Sequence, residues 1–246
     1  MNTNCLADAG DGILWCQSPG NWFAARNAVT NYGLEGINLN SGPTAAVAND
    51  FFTFVSLGAT VAFLGIAQWD GPTGSTNDYV LCAVGNDIQG GRDGASGHAF
   101  ELSTLRPYRI QFAGNRVKLY PAFQRADDQP AAAIGGYVMN FSQVSGNTLV
   151  AGGYGVRWLD TCTDAVVLKN DFSAATFRGL SYDGTNGAVR NLTIIKNVLG
   201  QGTTFHFHAR PEDGTAYFLI KNAYSNGVTG VNAFIDPQSG SVHWIH

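Results

Sequence analysis

Asp183, His206 and His208 are the residues of this 246-residue chain best suited to moving a proton or holding a metal ion. The two histidines sit in TFHFHA, where apolar and polar residues alternate at the period of a strand, so both point to one face. A carboxylate beside an imidazole raises its pKa and fixes its tautomer, as a general acid or base requires. Two His and an Asp also match part of a metal site. The plainer alternative, ordinary polar residues on a hydrated sheet face, carries more weight until their neighbours are known. Arg157 presents a fork that binds a carboxylate in two places, and Glu101 is the acid that joins it below. For these two the plainer reading is a cross-strand ion pair.

What must position them is a repeat. Val189–Asn222 contains one device twice, an alternating apolar run closed by Lys-Asn (TIIKN, then FLIKN), with the second Asn 25 residues after the first. β-Branched and aromatic residues at period 2, broken by glycine, exclude an amphipathic helix. A strand, a bend at Asn and a return to the same place after about 25 residues describe a coil that stacks on itself. The markers are Asn27, Asn49, Asn86, Asn115, Asn147, Asn170, Asn197 and Asn222, each after a short strand-like run. A β-sandwich also gives short strands and frequent turns and is the competing fold.

Aligning the strand that follows most markers by its apolar pair gives Ile37/Leu39, Phe100/Leu102, Val156/Trp158, Leu180/Tyr182, Phe205/Phe207 and Val231/Ala233. If these face inward, the residues between them face outward. One outward column is then Asn38, Glu101, Arg157, Ser181, His206 and Asn232. The next is Asn40, Ser103, Leu159, Asp183, His208 and Phe234. Stacked strands lie about 4.8 Å apart, so members of a column on adjacent levels touch. Lys169, Lys196 and Lys221, three of the four lysines, each precede a marker and should form a solvated ridge. The marker asparagines should be structural, their amides bonding from turn to turn.

The bulk composition agrees with one compact all-β domain over 1–246. Charged residues are 13%, apolar residues 45%, and glycine supplies 31 positions, a turn-rich chain with enough apolar material for a core. Residues 1–26 are expected to be a leading partial coil or cap, and 70–80 and 120–131 to be excursions from the coil. Pro121 and Pro130 bracket the second and cannot donate ladder bonds. Trp69 and Asp70 in the first excursion, with Arg125, Asp127 and Asp128 in the second, could stack on and hydrogen-bond a sugar ring. A net charge of −4 argues against nucleic acid as partner, and no apolar run is long enough to span a bilayer. The start lacks a basic and apolar leader, and the expectation is a piece of a longer exported protein. Cys5 and Cys16 could close a loop under oxidising conditions; Cys82 and Cys162 read as small unpaired residues.

The turn asparagines of VLKNDF, TIIKNV and LIKNAY, the strand GLEGINL and the 22–27-residue spacing resemble the right-handed parallel β-helix (pectin-lyase-like) superfamily, over about Asn27–Asn222. The resemblance implies an all-β fold, a single right-handed parallel β-helix solenoid of about eight to nine rungs. It also implies an extracellular, cell-surface or virion-surface setting and a polysaccharide partner lying along one flat parallel sheet, with no membrane insertion and room for oligomers. A lyase on such a scaffold needs a cation for the uronate carboxylate and a base for the C5 proton, which Arg157 with His206 or His208 would supply, Asp183 orienting the imidazole. Glu101, Trp69, Asp70, Arg125, Asp127 and Asp128 would bind substrate. No cofactor is implied beyond calcium, the ion some members use. The family's catalytic strings are absent: SGHAF and YRIQ stand nearest the hydrolase motifs, and YGVRWLD departs from the epimerase motif after Tyr154-Gly155. The rival reading is therefore a non-catalytic structural or adhesive module of a phage fibre or bacterial surface protein.

Overall fold

The computed structural model describes residues 13–16, 22–30, 35–40, 44–53, 64–68, 79–90, 99–102, 108–119, 132–138, 141–182, 189–190, 192–199, 205–207, 217–220, 223–224, 233–235 and 242–244. Among them every regular element is a strand. Pairing follows a rule of three: through most of the chain each strand pairs in parallel with the third strand after it, which builds three ladders.

The first ladder runs Ile13–Cys16, Glu35–Asn40, Leu64–Gln68, Phe100–Leu102, Ala132–Val138, the middle of Thr148–Thr163, Ala175–Tyr182 and Phe205–Phe207. The second takes Trp22–Ala25, Thr44–Val47, Tyr79–Val84, Tyr108–Ala113, Gln143–Ser145, Val166–Leu168, Leu192–Ile195 and Tyr217–Ile220. The third takes Ala28–Thr30, Asp50–Thr53, Asp87–Gly90, Arg116–Leu119, the start of Thr148–Thr163, Asp171–Phe172, Val198–Leu199 and Ala223–Tyr224. The leading segment thus supplies paired strands at both Ile13–Cys16 and Trp22–Ala25. Residues 70–78 and 120–131 of the expected excursions lie outside the described residues, while Tyr79 and Val80 already belong to a strand.

The bend between the second and third ladders explains the marker asparagines. At each step the backbone N–H and the side-chain Nδ2 of one Asn both donate to Oδ1 of the next. This holds from Asn27 through Asn49, Asn86, Asn115, Asn147 and Asn170 to Asn197, with every donor–acceptor distance between 2.8 and 3.0 Å. The second Nδ2 hydrogen goes back to a carbonyl on an earlier strand, as from Asn115 to Ala83 at 2.8 Å and from Asn170 to Val144 at 2.9 Å. Six of these seven residues are at most 1% exposed. A buried bend must satisfy its backbone groups without a regular ladder, and the amide side chain, donor and acceptor at once, does it. Asn222 lies outside the described residues.

The residue before each Asn turns the chain. Arg26, Ala48, Gly85, Gly114, Gly146, Lys169 and Lys196 all have φ between 52° and 65°. The N–H groups of the first six donate to a carbonyl on the next level, for example Lys169 to the Ile195 carbonyl at 2.9 Å. All seven are exposed, so Lys169 and Lys196 share a surface ridge, as their spacing predicts.

The ladders face one apolar interior. The Phe100 and Phe112 rings, from the first and second ladders, stack with centroids 5.3 Å apart and are fully buried. Burying each contributes about 2–3 kcal/mol. Ile37, Ile134, Val156 and Leu180 share the Phe100 column and are 0% exposed. From Ile37 to Leu180 the position before that column is always small: Gly36, Gly65, Ala99, Ala133, Gly155 and Gly179. A Cβ on Gly155 would collide with the Phe172 ring and the Gly179 carbonyl, and one on Gly179 would meet Leu199 at 2.7 Å. Gly155 and Gly179 are therefore held small by close packing on both sides of the strand.

The apolar-pair alignment fails at one place. Val231/Ala233 does not continue the first ladder: Ala233–Ile235 pairs antiparallel with Tyr217–Ile220, and Val242–Trp244 pairs antiparallel with it in turn. Phe234 stands opposite Phe218 in the second ladder, not in the Asp183–His208 column. Reversal leaves the alternation of side chains unchanged, so the sequence pattern could not reveal it. Besides Ile13–Cys16, which precedes the aligned set, two first-ladder strands, Leu64–Gln68 and Ala132–Val138, fall between its members.

Candidate functional site

The register sets most of the predicted outward column in one line. From level to level it reads Leu14, Asn38, Ala67, Glu101, Gly135, Arg157, Ser181 and His206. Asn38, Glu101, Arg157, Ser181 and His206 thus stand in the predicted order, with Ala67 and Gly135 filling the levels contributed by the two extra strands. Glu101 and Arg157 are two levels apart, as are Arg157 and His206, which is about 10 Å along the ladder. Direct contact between them is therefore not set by the register.

Arg157 differs from its expectation. Its residue is 6% exposed, and its guanidinium carbon lies 5.4 Å from the centroid of the fully buried Tyr154 ring. Both residues are buried on the strand Thr148–Thr163, three positions apart, which sets ring and guanidinium against each other. Such a cation–π contact contributes on the order of 1–2 kcal/mol when desolvated. Here Arg157 braces the wall and is withdrawn from solvent.

Asp183, His208, Trp69, Asp70, Arg125, Asp127 and Asp128 lie outside the described residues, and so do Asn232 and Ser103. Among the described residues, no group of three or more His, Cys, Asp or Glu is placed to hold a metal ion.

The remaining polar surface lies on the second and third ladders. Asp50, Asp87, Arg116, Thr148 and Asp171 follow one another in a third-ladder column. Arg116 Nη1 reaches both Asp87 oxygens, at 3.1 and 3.0 Å, with the side chains 47% and 33% exposed, a pair that contributes well under about 1 kcal/mol in water. On the second ladder Cys82, Gln111 and Gln143 follow one another, and the Cys82 thiol donates weakly to Gln111 Oε1 at 3.6 Å. Burial pushes that thiol's pKa up, which favours the protonated form. Sequence reading missed this column because it looked for catalytic types on the first ladder alone.

No protein-family model, curated protein or solved structure matches this chain. Helices long and apolar enough to cross a membrane are lacking among the described residues.

Proposed function

We propose that the chain is a single right-handed parallel β-helix of the pectin-lyase-like kind and that it engages an extended polysaccharide along its first ladder. The observation that carries this reading is the line Asn38, Glu101, Arg157, Ser181, His206, which falls in one column of one parallel ladder, with Ala67 and Gly135 on the levels between its first three members. A linear polymer is the ligand whose repeat meets a wall of side chains at a constant interval of about 4.8 Å. The rule-of-three pairing favours a helical coil, and the right-handed crossover preference for parallel strands supplies its hand. In this reading His206 or His208 takes the proton, Asp183 orients the imidazole, and Glu101 with the excursion residues Trp69, Asp70, Arg125, Asp127 and Asp128 contacts sugar. Arg157 is a positioning residue, holding the wall through Tyr154. No cofactor is assigned, and calcium is the ion to add as a control.

The burial of Arg157 favours the second reading, a non-catalytic structural or adhesive module, because it withdraws the cation a lyase would present to a uronate. One experiment separates the two. The protein is incubated with a panel of acidic polysaccharides, with and without calcium, following the ultraviolet absorbance of unsaturated uronates and the release of reducing ends. The enzymatic reading expects product from at least one substrate and a loss of about 100-fold or more in rate for His206→Ala or His208→Ala. No product from any substrate, with glycan binding untouched by either substitution, leaves the adhesive module standing.

A further inference from the structure

We propose that Lys169 and Lys196, adjacent on the ridge between the second and third ladders, form a carboxylate-binding site for an acidic polysaccharide, separate from the first-ladder line. The choice of a polysaccharide rests on the reading above; the site itself rests on two unfavourable features that coincide there. The first is conformational. Lys169 and Lys196 have φ of 53° and 54°, in the left-handed region that disfavours any side chain with a Cβ. Gly85, Gly114 and Gly146 occupy the same column at 65°, 62° and 63°, where the bend carries no such penalty, while Arg26 and Ala48 share the penalty at 57° and 52° without a like charge beside them. The second is electrostatic. The Lys169 N–H donates to the Ile195 carbonyl, which puts the two lysines on neighbouring levels about 4.8 Å apart, and like charges so placed repel. Both residues are exposed, and among the described residues no ion pair engages either ammonium. The nearby Asp171 has one carboxylate oxygen accepting from the Ser173 N–H.

Strain and repulsion retained at one surface point lead to a hypothesis of function. An anion bridging the two ammonium groups removes the repulsion and gains charge-assisted hydrogen bonds. The ligand also has room to continue. Along the ridge Gly146, Gly114 and Gly85 are exposed, and a Cβ built on Gly85 or Gly114 meets nothing within 4 Å. The ridge is thus open backbone for three levels beyond the cationic pair. A carboxylated polymer suits a narrow ridge with two ammonium groups at one end. A nucleic acid suits the ridge less, because phosphate binding draws on many cations at once and this pair supplies two.

The test measures binding of the full chain to immobilised polyuronate and to a neutral polysaccharide. Three forms are compared with the parent: K169Q/K196Q, K169G/K196G and His206→Ala. The expected result is a five- to tenfold loss of polyuronate affinity and a shallower salt dependence in both lysine pairs, with neutral-glycan binding unchanged. The glycine pair should also melt at a higher temperature than the parent, since it relieves the left-handed strain, which separates lost binding from lost folding. The proposal is overturned if the lysine pairs bind polyuronate as the parent does, or if the parent binds none. Loss in His206→Ala but not in the lysine pairs removes the ridge and keeps the first-ladder reading. The opposite pattern keeps the ridge and removes the first-ladder reading.

Discussion

Asn115→Ala is expected to destabilise the protein by about 3–5 kcal/mol, among the largest single-residue effects available to it. Asn115 stands mid-line at 1% exposure. Its Nδ2 donates to the Ala83 carbonyl at 2.8 Å and to Asn147 Oδ1 at 3.0 Å, and its Oδ1 accepts from the Asn86 N–H and Nδ2, both at 2.9 Å. Alanine removes these four bonds and strands buried partners on both neighbouring levels, at about 1–3 kcal/mol for each group left unsatisfied. At this chain length that is a fall of roughly 10 °C or more in melting temperature. Asn27→Ala should cost only about 1 kcal/mol, because Asn27 is half-buried and its side chain donates one recorded bond along the line. Equal losses at the two positions would mean the line does not act as a connected network. Asn115→Asp adds a pH signature. Burial raises that carboxyl's folded pKa above its unfolded value, so the folded state holds the proton longer. The variant's stability is then greatest below the unfolded carboxylate pKa and declines as pH rises toward the folded one. Denaturant titrations at acid and neutral pH read the difference.

Gly155→Ala should cost about 3 kcal/mol, and Gly179→Ala clearly less. The new Cβ at position 155 meets the Gly179 carbonyl oxygen and the ring of Phe172, itself 0% exposed. Neither a strand backbone nor a packed ring can step aside without opening the core. At position 179 the obstacles are a Leu199 methyl at 2.7 Å and its Cβ at 3.2 Å, a side chain that can shift more readily than backbone or a ring, so about 1–2 kcal/mol is expected. Unfolding midpoints of the two single variants check the order. A Gly155→Ala protein as stable as the parent would mean that position 155 is not packed against Phe172 and the Gly179 backbone.

The marker asparagines were legible in the sequence because a side chain performs there what backbone performs elsewhere, and only Asn fits that role level after level. The ridge was legible through Lys169 and Lys196 for the same reason, though its left-handed backbone was not, since Arg26, Ala48 and three glycines share it without sharing any side-chain character. The small column Gly36, Gly65, Ala99, Ala133, Gly155, Gly179 was present in the sequence and passed unnoticed, because alternation is sought in large apolar residues. That also hid Ala132–Val138, a strand of alanine and glycine at its start. Leu64–Gln68 was hidden differently, as a run too close to an excursion. The final reversal at Ala233–Ile235 could not be read at all, since parallel and antiparallel strands alternate alike. The outward column was predicted in the right order up to His206, but the order of residues along a strand does not say what lies over them. The burial of Arg157 is the consequence.

The stacking register is the claim on which the ladder, the bend and both proposed binding surfaces rest, and the native Cys82 offers a direct measurement of it. Cys82 and Gln111 are register partners on adjacent levels, 29 residues apart, and Gln143 is one level further. Partners about 4.8 Å apart are within disulfide reach, whereas about 10 Å is too far. Mild oxidation of Gln111→Cys, followed by peptide mass mapping, should join position 111 to Cys82, and Gln143→Cys should leave Cys82 unpaired with position 143. A link from position 143 to Cys82, or none from position 111, would contradict the account.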